Sequence, residues 1–321
     1  MILVCGEALI DFLPDLQRTD TSLAFSGFPG GSPFNVAIAL ARQNRETAYF
    51  SHISQDMFGK VIKNCLLKEK IDLSFMREKP EPTTLAFVNL DQEGVADYVF
   101  LGENAADRMI TITDIPADFP KTVSTLAFGS FSLAVEPCGS TYETLIEKEH
   151  GRRLIAIDPN IRSRLIPDME HHRKRLEHLI SLSDLVKASR EDLCELYAGE
   201  EPEIIARRWQ DSASARKLIV ITDGPHGASA LLDGQWLSWP GMSVEVVDTI
   251  GAGDCFQASL LASLEQQKLL SVDTFPQMNL DHLDKAIRHA ISASALLCTR
   301  KGADMPTEKE ISGFTEQRTI Y

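Results

Sequence analysis

Short apolar runs rich in Val, Ile and Leu alternate along most of the chain with stretches whose apolar residues recur at helical spacing. "ILVCGEALIDF" opens as a strand. In "SPFNVAIALARQN", Phe34, Ile38 and Ala41 share one helical face, with Val36 and Leu40 beside them. Ser32 is placed to cap this helix, and Pro33 suits its first turn. "TAYFSHI" reads as strand and "MFGKVIKNCLLKEK" as helix. "STLAFGS", "RLIAID", "DLVKAS" and "KLIVIT" read as later strands, separated by helical stretches over 168–183 and 201–210. Further on, "SVEVVD" predicts a strand and "CFQASLLASL" a helix. Alternation of this kind predicts an α/β fold, a mostly parallel central sheet with helices on both faces.

Two segments break the rhythm. Residues 83–101 read strand–turn–strand, with Asp91 to Gly94 as the hairpin turn. Residues 15–29 are polar and turn-rich around a short "LAF". Together, over about 13–30 and 83–105, they suggest a small β lid inserted in a single domain spanning 1–321. A plain surface hairpin is the alternative on pattern alone.

Composition narrows the partners. The apolar fraction of 44% and charged fraction of 24% are ordinary for a globular chain able to bury a sizeable core. Lys plus Arg (32) against Asp plus Glu (46) leaves a formal charge of −14. No basic run invites nucleic acid or an anionic membrane, so a small-molecule partner is expected. Six cysteines lie far apart with no C-x-x-C pair, which predicts reduced, mostly buried thiols. With no run of the ~18 apolar residues a membrane helix needs, a cytoplasmic protein is expected.

The chemistry is concentrated in "TIGAGD" (249–254), a turn feeding a helix N-terminus. Glycines give the backbone left-handed freedom and allow close approach, and the first helical amides form an anion site. Asp254 would stand beside that site, placed to take a proton from a hydroxyl attacking a phosphoryl group. Read alone, the fragment serves equally as a turn whose acid favours the helix dipole. It is neither G-x-G-x-x-G, because Phe256 fills the last glycine's place, nor a Walker A loop.

Taken together, "DTIGAGD" and "PGGSPFNVAIALARQN" resemble the ribokinase-like (PfkB-type) carbohydrate kinases over nearly the whole chain, in order. "CGEALIDFLP", "GSFSLA" and "DPNIR" point to the fructokinase branch. The resemblance implies an ATP-dependent, magnesium-requiring kinase acting on a primary sugar hydroxyl, fructose to fructose 6-phosphate by preference. It implies Asp254 as catalytic base and the amides of Gly251, Ala252 and Gly253 as anion hole. Asp11, Gly30, Gly31 and Asn35 match sugar-binding positions, and Arg162 reaches toward the substrate or the transferring phosphoryl group. Ser189, Thr222, Gly224 and Gly227 match the nucleotide side. Asp248, the Ile250 carbonyl and the loop containing Gly302 match a monovalent-cation site for potassium, although Pro306 stands where some members offer a side-chain oxygen. The lid would close over the sugar and pair with its twin in a homodimer.

Two departures bear on the substrate. The family's Asn-x-x-Glu is "SRED" here, Ser189 for Asn and Asp192 for Glu, a sequence that also reads as a capping box. An arginine usual in the lid is replaced by Gly102 in "FLGENAAD". A sugar acid would lose more from that missing cation than neutral fructose. A kinase for 2-keto-3-deoxygluconate, a pentose or a nucleoside stays open, as does a catalytically idle sugar sensor. Cys255 is expected to be a packing residue whose alkylation would block activity, and His150, His171, His172 and His178 are expected to hold no metal.

Overall fold

The computed structural model describes residues 1–14, 23–90, 96–212 and 215–319. Strands β1 (Ile2–Cys5), β2 (Leu9–Pro14) and β3 (Phe25–Gly30) precede α1 (Ser32–Arg42) and β4 (Thr47–Phe50). Then come β5 (His52–Ser54), α2 (Met57–Lys68), β6 (Arg77–Lys79), β7 (Leu85–Leu90) and β8 (Ala96–Leu101). The middle of the chain holds β9 (Thr125–Gly129), α3 (Cys138–Glu149), β10 (Leu154–Asp158), α4 (Met169–Leu182) and β11 (Leu185–Ser189). After α5 (Arg190–Leu196) and α6 (Pro202–Asp211) run β12 (Leu218–Thr222), β13 (Ala228–Leu232) and β14 (Gln235–Trp239). Helices α7 (Ala252–Gln266), α8 (Leu280–Cys298) and α9 (Glu308–Thr319) complete the order.

The central sheet has eight strands in the order β14-β13-β12-β11-β10-β9-β1-β4. Every pairing from β12 to β4 is parallel, and β13 and β14 close one edge antiparallel. Alternate residues of each inner strand feed two separate cores. Ile2 and Val4 of β1 and Leu154 and Ala156 of β10 pack with α1, α2, α7 and α8. Leu3, Cys5, Ile155 and Ile157 face α3, α4 and α6 instead. Strands buried on both faces read as unbroken apolar runs, and the predicted α/β sheet with helices on both faces is what forms.

A second sheet has the order β3-β2-β7-β8, with β2 and β7 parallel and the outer pairs antiparallel. Phe12 of β2 stacks on Phe87 of β7 at 4.7 Å and meets Phe58 of α2 edge-on at 5.7 Å, which ties this sheet to the body. Of the segments expected to form a lid, residues 15–22 and 91–95, including the Asp91–Gly94 turn, lie outside the described residues.

Several expectations need correction. "ILVCGEALIDF" is two strands in two sheets, because the chain turns at Gly6 (φ 146°), where a side chain would run into Pro33. "TAYFSHI" likewise divides into β4 and β5. "SVEVVD" is not a strand: Val246 and Val247 are 59% and 61% exposed, and the Val247 amide donates only to Cys298 O. Alternation there meets no partner strand among the described residues, and the segment is tied to the end of α8 instead. Ser32 is the first helical residue rather than the cap, which is Gly31 (φ 101°). Of the cysteines, Cys5, Cys138 and Cys255 are buried, Cys65 and Cys298 half-buried and Cys194 exposed, all free thiols. Cys255 is the packing residue expected, buried in the core, and burial pushes its thiol up to about 12, so it is a poor target for alkylation. No helix among the described residues is long and apolar enough to cross a membrane.

Candidate active site

The C-terminal ends of β1, β9, β10, β11 and β12 open onto one cavity of about 1080 Å³, where open α/β sheets bind ligands. It runs from Asp11 and Asn35 at one end, past Asp254, to Thr222 and Gly241 at the other.

Asp254 sits in the first turn of α7 and is 7% exposed. Gly251 caps the helix in the left-handed conformation (φ 76°), as the turn requires. Both oxygens of the carboxylate are held from α1. Ser32 Oγ donates to Oδ1 at 2.6 Å, and Asn35 Nδ2 donates to Oδ2 at 2.8 Å. Ser32 and Asn35 are three apart on one helical face, so a single packed helix orients the acid. Asn35, expected at the sugar, therefore has one of its two amide N–H donors committed to Asp254. The Ala252 amide, expected in an anion hole, donates to Thr249 O at 3.1 Å. Gly253 is bare for another reason: a side chain there would lie 3.1 Å from Lys187 Nζ.

At the first end of the cavity, the Asp11 carboxylate lies across Gly30, which leaves no room there for a side chain. Burial, and then the charge of Asp254, raise the Asp11 carboxyl to about 6, while Arg162 holds it back. Arg162 itself is exposed, its Nη1 donating to Ile161 O at 2.9 Å. Gly31 crosses over Glu7, with 3.0 Å between a built side-chain carbon and Glu7 O.

Sequence reasoning assigned Glu7 no role. It lines the cavity floor, fully buried, accepts from the Ser132 hydroxyl, and burial raises its carboxyl to about 7. Because the folded state raises this carboxyl above its ordinary value of 4.5, stability drains away as pH rises from about 4.5 to 7. At one pH unit per ~1.4 kcal/mol, the ionised form costs roughly 3 kcal/mol above pH 7. Glu7→Gln should therefore show a melting temperature that gains on the wild type between pH 5 and pH 8. A constant difference across that range would refute the assignment.

The space beside Gly102 is filled by Arg108, whose guanidinium would collide with any side chain at 102 and lies 4.9 Å from the Phe131 ring centre. The neighbouring buried Asp107 feels its charge, while its own carboxylate accepts from Thr84 Oγ1 at 2.6 Å. A cation does stand where the lid arginine was missing, but it is packed into the protein, with its Nε and Nη2 buried.

At the far end, the β11–β12 register sets Ser189 against Thr222. Gly224 (φ 48°) and Gly227 (φ 102°) shape the following turn, and the Asp223 amide donates to Gly227 O at 2.8 Å. Asp192 is held in place by backbone and side-chain donors. Its Oδ1 accepts from the Ile161 amide at 2.7 Å, and its Oδ2 from the Ser189 amide and hydroxyl at 2.8 and 2.6 Å. The capping box is what forms. Asp248 staples two loops, Oδ1 accepting from the Ile250 amide at 3.0 Å and Oδ2 from the Gly302 amide at 2.9 Å. His178, for which no ligand partner was expected, pairs with Glu147 on the surface at 2.9 Å, and Glu143 stands with them, within 4.8 Å, close enough for the three to share an ion.

The model of the pfkB family carbohydrate kinases matches residues 1–310. A fructokinase of Rhizobium leguminosarum bv. trifolii is 43% identical over 274 residues, 84% of this chain and 82% of that protein. The crystal structure of a Xylella fastidiosa fructokinase with bound ATP superposes with a TM-score of 0.88 at 26% identity, covering 99% of this chain and 98% of that one. A Vibrio cholerae O395 fructokinase double mutant, solved with fructose, ADP and potassium ion, superposes at 0.84 with 27% identity, covering 98% and 97%.

Proposed function

The chain belongs to the pfkB family of carbohydrate kinases, and from that premise we propose that it phosphorylates fructose at O6 with ATP, giving fructose 6-phosphate and ADP. The observation that carries this reading is the Asp254 carboxylate, buried at a helix N-terminus, held at both oxygens and lining a cavity of about 1080 Å³.

In this reading the sugar lies against Asp11, Gly30, Gly31 and Asn35, where a carboxylate and an amide oxygen accept from vicinal hydroxyls. Asp254 takes the proton from O6 as that oxygen attacks the γ-phosphorus. The amides of Gly251 and Gly253 and the positive end of α7 meet the charge building on the phosphoryl oxygens, the Ala252 amide adding its dipole through the same turn. Arg162, free to swing, approaches the same oxygens from β10's loop. Ser189, Thr222, Gly224 and Gly227 border the nucleotide phosphates. ATP as donor suits the expected cytoplasmic setting.

Magnesium, when bound with the nucleotide, would neutralise phosphate charge in such a transfer, and Asp192, anchored by the Ile161 and Ser189 amides, would stand at that end of the cavity. Asp248 and Gly302, with the Ile250 carbonyl, fit a potassium ion: each Asp248 oxygen that accepts one hydrogen bond keeps a further lone pair. Such an ion would add positive charge beside Gly251.

The second sheet is read as the lid, closing over the sugar and limiting ATP hydrolysis by water. Its strands expose Phe28, Val99 and Leu101, side chains suited to pairing with a second copy. Sedimentation equilibrium should report a dimer; a monomer at tens of micromolar protein would remove that element.

Because Arg108 is packed against Gly102 and Phe131 with its Nε and Nη2 buried, a neutral ketose is favoured over a sugar acid. Purified protein with ATP and magnesium should give a kcat/KM for fructose at least about tenfold above that for 2-keto-3-deoxygluconate, pentoses or nucleosides, a difference of ~1.4 kcal/mol. Product formation with no sugar at all would defeat the proposal, and the reverse preference would reassign the substrate.

A further inference from the structure

Gln257 lies three residues after Asp254 on the same face of α7 and is 2% exposed. Its Oε1 and Nε2 are both buried with no hydrogen-bond partner among the described residues. Oδ1 of Asp158, at the end of β10, is in the same condition. Only the other carboxylate oxygen is held, by Lys187 Nζ at 2.8 Å. Buried polar atoms rarely go unpaired, and three of them in one neighbourhood call for a common partner.

The neighbourhood is a second cavity, of about 10 Å³, lined by Gln257, Asp158 and Ser32. Val4, Val36 and Ala127 stand among its apolar walls and offer no side-chain donor or acceptor. The volume admits one water molecule and nothing larger. Ser32 lines the large cavity as well, where its Oγ donates to Asp254 Oδ1 at 2.6 Å. One hydroxyl-bearing residue therefore stands between the two cavities.

We propose that the small cavity binds one water molecule, held by Gln257 and Asp158 and donating to Ser32 Oγ, and that Gln257 is thereby a positioning residue for Asp254. The donors and acceptors balance. A water molecule has two of each. It accepts from Gln257 Nε2 and donates to Asp158 Oδ1 and to Ser32 Oγ, whose own proton is committed to Asp254. Burial raises the Asp158 carboxyl to about 6 against the pull of Lys187, so a further donor at Oδ1 stabilises the carboxylate. Hydrogen bonds in series polarise one another, and a Ser32 hydroxyl that accepts from the water donates more firmly to the carboxylate beyond it. No proton moves along this chain; it keeps Ser32 turned toward Asp254. The role given to Asp254 rests on the kinase reading above, whereas the water site does not.

The competing account is that Gln257 only fills space between α1 and α7. Crystallography and a double-mutant cycle separate the two. High-resolution wild-type crystals should show one water at roughly 2.7–3.2 Å from both Gln257 Nε2 and Asp158 Oδ1. Gln257→Met keeps the length of the side chain and removes both polar atoms, so that water should be lost. Its kcat on fructose should fall about three- to tenfold, with KM for fructose and ATP within about twofold of the wild type. In a Ser32→Ala background the same replacement should change kcat by less than about twofold, because the chain is already cut. A space-filling Gln257 would cost the same factor in both backgrounds, and that additivity would overturn the positioning role. A dry cavity, or a Gln257 amide bonded to protein atoms alone, would overturn the site. Gln257→Leu takes the place of the methionine variant in the cycle should that variant not fold. Wild-type protein inactive on every sugar would strike the kinase reading and the role with it, while the wild-type density would still decide the water site.

Discussion

Asp254→Asn should lower kcat by roughly 10²–10⁴ while leaving ATP affinity and the fold in place, the range lost when a positioned general base is removed. The replacement fits. Asn35 Nδ2 needs an acceptor, which the amide oxygen of the variant provides; its amide nitrogen then donates to Ser32 Oγ, a hydroxyl able to accept. The bonds at α1 survive, so lost turnover would report lost basicity rather than a disturbed helix. Asp11 gives a second readout. Its carboxyl is raised to about 6 by burial and then by the charge of Asp254. Ionised Asp11 accepts from sugar hydroxyls, so fructose affinity should fall as pH drops through about 6. Without the Asp254 charge that midpoint should move to lower pH, measurable by calorimetric titration of the inactive variant. Turnover persisting within a few-fold would remove Asp254 from the base role, and an unmoved midpoint would break its coupling to Asp11.

The parts of this site that were legible are the contiguous ones. Gly251 to Asp254 carry their chemistry in one turn, where glycine freedom and a helix N-terminus can be argued from adjacent letters. The groups that complete the site are local in space only. Ser32 meets Asp254 across 222 residues, and no spacing in the sequence announces it. Lys187 reads as one more residue in an apolar strand until β10 brings Asp158 beside it and α7 turns Gly253 beneath it. Arg108 is hidden similarly, since its meaning lies in the emptiness of Gly102.

The sheet shows the same division. Inner strands were readable because burial on both faces leaves no polar alternation to confuse them. "SVEVVD" carries a strand's pattern without a strand's partner, and pairing decides. The β13–β14 hairpin had a usable signal that went unread, Asp233-Gly234 between two apolar runs, with both residues at positive φ. At "SRED" two readings shared the same letters. The capping box formed because its bonds lie within one helical turn and need nothing from a ligand.

Gly227→Ala should be the most damaging single-methyl change on the nucleotide side, and Gly224→Ala beside it a mild one. Gly227 has φ 102° and ψ −133°, close to a region that glycine alone populates. A methyl group there would run into Trp239 O and sit 2.5 Å from the Gly241 amide, both backbone atoms that cannot swing aside. Backbone strain of about 1–3 kcal/mol and overpacking of a similar size add to several kcal/mol. The damage is directed, because Gly241 and its neighbours line the cavity at the end proposed for the nucleotide. ATP affinity should fall along with stability, and fructose affinity should hold in whatever fraction remains folded. Gly224 is also left-handed, at φ 48°, but nothing lies within 4 Å of where its methyl would point. It should cost only the conformational penalty of about 1–2 kcal/mol. Chemical denaturation of the two variants side by side checks the contrast. Equal losses would mean that the turn yields as a whole, and that the contact with Trp239 and Gly241 does not set the nucleotide wall.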